Sequence, residues 1–125
     1  MQAYAIVFFG AGLGGALRHG VNVTAARLFG TGFPVSTLFV NILGSLVMGL
    51  LAGYFAYKGG VSQHWPLFLT TGILGGFTTF SAFSLDTALL YERGQFGIAA
   101  AYVLASVVIS VAALFAGLAL ARIAP

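Results

Sequence analysis

The feature that most constrains this chain is the length of its apolar runs. Four stretches, residues 3–26, 34–57, 65–91 and 96–121, are long and apolar enough to qualify as spans. A helix needs roughly 20 mostly apolar residues to cross a bilayer. Of the 125 residues, 60% are hydrophobic and 6% are charged, whereas a soluble domain carries about 25% charged residues. Such a chain cannot cover a globular surface with polar side chains. The expected fold class is an all-α membrane protein with a single four-helix transmembrane domain over residues 1–125. The connections carry chain breakers: Gly30, Gly32 and Pro34, then Lys58-Gly59-Gly60, then Glu92-Arg93-Gly94. Tyr57, Trp65 and Tyr91 fall near helix ends, where interfacial aromatics belong. The first apolar run lacks a charged leader and a small-residue cleavage site, so it reads as a retained helix.

Without cysteine there is neither a disulfide framework nor a thiolate metal site. The basic residues Arg18, Arg27, Lys58, Arg93 and Arg122 are scattered, so no basic patch for nucleic acid forms. Four spans put both termini on one side together with Lys58 and Arg122. The other side receives Arg27 and Arg93, and Arg18 if it snorkels that way. The positive-inside rule needs an excess on one face, and here the count is nearly balanced. Two arrangements stay open: dual topology with copies paired antiparallel, and one orientation set by a weak bias. Four helices leave little interior space, so a pathway implies an oligomer. Gly10 and Gly14, Gly49 and Gly53, and Gly72 and Gly76 are small-xxx-small pairs that permit close helix approach.

Polar groups at depth carry the functional signal. Asn41 and Ser45 share a helix face; Asn41 is either a pathway donor or a hydrogen-bonding partner of a neighbouring helix. In the third span, Gly75-Gly76 beside Thr78-Thr79 predicts a break, tolerated at membrane depth only against protein or a cavity. Carbonyls freed there suit a hard cation; the alternative is a kink or a close-packing point. Phe80 and Phe83 share a face, with Ser81 and Ser84 alongside; the two phenylalanines are core residues, or their ring edges solvate an anion or their faces a cation. Tyr102, Ser106 and Ser110 form one hydroxyl stripe on the fourth span. Arg18 lies well inside the first span; it snorkels, or draws an anion into a vestibule. Asp86 and Glu92 near the end of the third span are vestibule or interfacial charges. The buried groups are mainly donors, with no carboxylate in the middle of a span. That combination favours a small anion over a cation pathway. No catalytic constellation is present, so the chain is not expected to be an enzyme.

The run Thr71-Gly72-Ile73-Leu74-Gly75-Gly76-Phe77-Thr78-Thr79-Phe80-Ser81-Ala82-Phe83-Ser84, with Pro34 through Asn41 to Gly44 and Gly14 to Arg18, resembles the Fluc fluoride channels over all four helices. Departures are Ala11, His19, Ala82 and Asp86, where relatives commonly carry other residues. The resemblance implies an antiparallel, dual-topology homodimer in the cell inner membrane, with two passive fluoride pathways. It implies that Phe80 and Phe83 turn ring edges to fluoride and that Asn41 donates to it. Ser81 and Thr79 would lie near the pathway, with Tyr102, Ser106 and Ser110 as its polar track. Arg18 would match the arginine of the first helix, and carbonyls of Gly75 and Thr78 would hold a central structural Na+. The alternatives are a small dual-topology multidrug exporter, a coupled fluoride transporter, or a non-transporting membrane subunit.

Overall fold

The computed structural model describes residues 1–57 and 61–123. The breaker Lys58-Gly59-Gly60, and with it the placement of the Lys58 charge, lies outside the described residues. Helix α1 spans Gln2–Phe29 and α2 spans Val35–Tyr57. The run called α3 here, residues 64–77, joins an α-turn (His64–Pro66), a π-helical stretch (Leu67–Leu74) and a second α-turn (Gly75–Phe77). Helix α4 spans Phe80–Glu92 and α5 spans Phe96–Ile123.

α1 continues through Phe29 rather than ending at Ala26. Arg27 in its last turn faces the negative end of the helix dipole, which favours a cation. Gly30 then stops the helix at φ 75°, a backbone angle at which a Cβ is strained. Gly94, at φ 80°, closes α4. The Gly94 N–H donates to the Tyr91 carbonyl and the Gln95 N–H to the Leu90 carbonyl, both at 3.0 Å. This paired closure is a Schellman motif.

Three segments combine length with enough apolarity to cross a membrane: Val35–Tyr57, His64–Glu92 and Phe96–Ile123, with mean hydropathies of 2.0, 1.3 and 2.6. α1, at 28 residues, is long enough at about 42 Å. Its composition is diluted by Arg18, His19, Asn22 and several glycines, and it does not join those three.

The third span differs from the regular helix expected before the glycines. Across Leu67–Leu74 the bonding widens, so that the Gly75 N–H reaches the Thr70 carbonyl five residues back. Such π-turns accommodate an extra residue and often mark functional sites. Within the run expected to break, the change falls at the threonines and not at the glycines. Gly75 is helical, at φ −60° and ψ −38°, and Gly76 follows it within the same turn. The chain leaves helical dihedrals at Thr78 (φ −86°, ψ 161°) and Thr79 (φ −154°, ψ 125°). β-branched threonines accept extended backbone readily.

The glycine pairs act within the chain. α1 crosses α3 where Gly10 faces Gly72, Gly14 faces Ile73 and Phe77, and Gly76 faces Ala11. α2 and α5 make the most extensive contact, with Gly49 against Leu114 and Gly117, Gly53 against Ala121, and Gly117 against Leu46 and Leu50. A Cβ at Gly10 would stand 2.9 Å from the Gly72 Cα, well inside contact distance. The bundle is held by backbone approach rather than a large side-chain core. That core is small: Phe83, Leu90, Ala99 and Tyr102, with Leu38 and Val103 against them. Large apolar side chains such as Phe8, Leu28, Leu104 and Phe115 point outward, as lipid solvation permits.

Candidate functional site: a groove at the α3–α4 junction

The two extended threonines create the site. In a continuous helix the Thr79 N–H would close on the Gly75 carbonyl. Here it donates instead to Asn41 Oδ1 at 2.8 Å. Asn41 Nδ2 in turn donates to the Thr79 carbonyl at 3.0 Å. One α2 side chain therefore satisfies both backbone groups of the residue that leaves the helix. Of the two readings of Asn41, the neighbouring-helix bond is realised, and one of its two amide N–H groups stays uncommitted. The Gly76 carbonyl would pair with the Phe80 N–H if the helix ran on. It accepts from Arg18 Nε at 3.1 Å. Thr78 keeps its own N–H and hydroxyl on the Leu74 carbonyl. Its methyl fills the space that a side chain at Gly44 would need.

Thr79 also starts α4: its Oγ1 accepts from the Ala82 N–H at 3.1 Å, as an N-cap. The junction thus has two signs. The end of α3 presents carbonyl oxygens, and the start of α4 presents unpaired N–H groups at its positive end.

A groove of about 390 Å³ opens beside this junction. Asn41, Ser45, Gly75, Thr78, Thr79, Phe80, Phe83, Ser106 and Ser110 all line it. The α2 face, the third-span run and part of the last-helix stripe therefore meet in one place. Phe80 is 78% exposed and Phe83 is buried, with ring centroids 5.5 Å apart. The hydroxyl oxygens of Ser106 and Ser110 are buried without a hydrogen-bond partner. A buried hydroxyl left unsatisfied costs about 1–3 kcal/mol, which a polar guest or water in the groove would relieve.

Three site residues lie outside the groove wall: Ser81 and Arg18, expected near the pathway and at a vestibule, and Tyr102, expected on the polar track. Ser81 is exposed, with its hydroxyl 3.3 Å from that of Thr79. Arg18 does not line the groove; it binds Gly76 from behind. Tyr102 is separated from its own stripe. Its ring packs on Phe83 at 5.3 Å, while its hydroxyl donates to Asp86 Oδ2 at 3.1 Å. Asp86 lines a second cavity of about 320 Å³ with Asn22, Ser36, Thr37 and Arg93. Ser36 donates to Asn22 there, and Arg93 Nη1 lies 3.5 Å from the Gly32 carbonyl, bringing two connections to one end of the bundle. The partners of Asp86 and Arg18 were not anticipated from sequence. Gly44 carries a findable signal, since it lies three residues from Asn41 on the same face.

Among the described residues, no group of three or more His, Asp or Glu could hold a metal ion. A cation bound at the groove would draw on backbone, hydroxyl or amide oxygens. The diverted Thr79 N–H leaves the Gly75 carbonyl without its helical donor, and extended Thr78 turns its carbonyl off the helix axis. These oxygens are hard ligands suited to a hard cation.

A helical membrane bundle whose interrupted span gathers amide, hydroxyl and aromatic groups is the architecture of an ion-conducting protein. The model of the CrcB-like protein, Camphor Resistance (CrcB) family matches residues 5–118, and the chain belongs to that family. It is 66% identical over 121 residues to the fluoride-specific ion channel FluC of Rhodopseudomonas palustris strain BisB5, covering 97% of this chain and 98% of the relative. It is 61% identical over 119 residues to FluC 2 of Nitrobacter hamburgensis, covering 95% and 96%. It is 62% identical over 122 residues to FluC of Granulibacter bethesdensis, covering 98% and 96%. With its apolar helices, the chain is a multi-pass membrane protein.

Proposed function

We propose that the chain is a passive fluoride channel of the cell inner membrane, built as an antiparallel, dual-topology homodimer with all four helices spanning. The observation that carries this reading is the pair of partnerless buried hydroxyls, Ser106 and Ser110, in the groove with Asn41, Phe80 and Phe83. Fluoride is a small acceptor with a tight water shell. Hydroxyl, amide and backbone donors replace that shell, and no fixed charge faces the groove to trap the ion. Several moderate donors in a row permit entry and exit. The exposed Phe80 edge of the groove is the face that a second copy would cover, giving two pathways per dimer.

Carbonyls of Gly75 and Thr78 would hold a Na+, and a second copy on a two-fold axis would double that oxygen set. Such an ion would supply positive charge that lowers the barrier for an anion. The chain's own part is to keep those carbonyls out of helical bonding, through the Asn41 clasp on Thr79.

The test is fluoride efflux from liposomes holding the purified protein, with chloride as control and no proton gradient. Fast fluoride efflux with negligible chloride efflux is expected. Efflux only under a driven proton gradient would establish a coupled transporter instead. Phe80→Ile and Phe83→Ile keep apolar bulk but remove the ring edge. Each is expected to cut fluoride efflux by on the order of tenfold or more, taking an aromatic contact as worth about 0.5–1.5 kcal/mol at each of several steps. Unchanged flux in both variants would remove the rings from the pathway.

A further inference from the structure

We infer that Arg18 is a positioning residue for conduction, acting through the Gly76 carbonyl rather than through its charge. The inference rests on the fluoride-channel reading above. Gly10, Gly14 and Arg18 recur every four residues on α1, so they form one stripe facing α3. The two glycines set α1 backbone directly against Gly72 and Ile73. The stripe then ends on a long side chain whose inner nitrogen, Nε, meets the Gly76 carbonyl at 3.1 Å.

That carbonyl loses its helical donor because Thr78 and Thr79 are extended. Arg18 on one side and Asn41 on the other replace the two helix bonds that would otherwise pull the junction straight. Removing either brace favours rewinding, which would turn Thr79 and Phe80 away from the groove. Arg18 is only partly buried and is absent from the groove wall. Its influence on a passing ion is therefore routed through the backbone it holds.

Side-chain chemistry separates this role from a charge role. Glutamine carries its amide nitrogen the same number of bonds from the Cα as the arginine Nε, without charge. Methionine has similar reach and no donor. Fluoride efflux of the full-length protein in liposomes is measured for Arg18→Gln and Arg18→Met. Amide hydrogen exchange at residues 78–80 is measured on the same samples. Gln is expected to stay near wild type in both readouts. Met is expected to lose about tenfold in efflux, the scale of a buried carbonyl left without its donor, with slower exchange at Phe80, whose N–H rewinding would place on the Gly76 carbonyl.

Wild-type efflux from Met, or a tenfold loss in Gln with unchanged exchange, overturns the inference; the latter would assign the role to charge. If Met yields no folded protein, Arg18→Leu takes its place with the same expected loss. If the wild type itself passes no fluoride, the channel reading fails. The exchange data still decide whether Arg18 holds the junction.

Discussion

Asn41→Ala is expected to lower fluoride efflux by on the order of 100-fold or more, the largest effect of any single polar substitution in the groove. The alanine strands the Thr79 N–H and carbonyl together, at about 1–3 kcal/mol for each unsatisfied group. It also withdraws the one amide donor that faces the groove. The junction can answer by rewinding toward helix, which turns the α4 N-terminus and Phe80 out of register. Asn41→Asp tests a different part of the same device. Its carboxylate still accepts from the Thr79 N–H, but sets a negative oxygen against the Thr79 carbonyl and places like charge in an anion path. It is expected to be at least as inactive as alanine at neutral pH. Liposome efflux checks both variants, with hydrogen exchange at Thr79 as the structural readout. Slow exchange and wild-type efflux in Asn41→Ala would show that the clasp is dispensable.

The second large effect is on folding. Gly117→Ala is expected to cost about 3 kcal/mol or more, the upper range for overpacking. Its Cβ would run into the Leu46 carbonyl and lie 2.7 Å from the Leu50 nitrogen and 3.0 Å from the Gly49 carbonyl carbon. All three are backbone atoms of α2, so no side chain can swing aside. The α2–α5 contact, the broadest in the molecule, would have to open. Gly97→Ala in the same helix meets nothing within 4 Å and is expected to be neutral or to stabilise by up to about 0.5–1 kcal/mol. Thermal unfolding in detergent, followed by loss of the monodisperse gel-filtration peak, separates the two. Equal midpoints would mean that α2 and α5 do not pack through Gly117.

The contrast between those glycines shows what a sequence can and cannot carry. Both read as glycine in an apolar helix; only the crossing distinguishes them. Arg18 is a similar case. An arginine inside a span had to find a carbonyl, an anion or the interface, because bare charge in lipid is costly. Which of these it found depended on where α1 crosses α3. Spacing groups Tyr102 with Ser106 and Ser110, yet its long side chain reaches Asp86 on α4 while the two serines face the groove.

By itself the sequence determined the membrane class, four candidate spans of which three of the observed segments keep the needed length and apolarity, and the pairing of Asn41 with Ser45 and of Phe80 with Phe83 on common faces. It also set the donor-rich character of the buried polar groups. These follow from composition and from the 3.6-residue period, which operate within one helix. Only the tertiary structure decided that Gly75 and Gly76 stay helical while Thr78 and Thr79 extend, and that Asn41 and Arg18 take the backbone groups this frees. It also decided that two serine hydroxyls are left without partners. The reason is that a helix gives up its own hydrogen bonds only where a neighbour offers replacements. The register that brings those replacements into reach is set by backbone contacts at glycines on different helices.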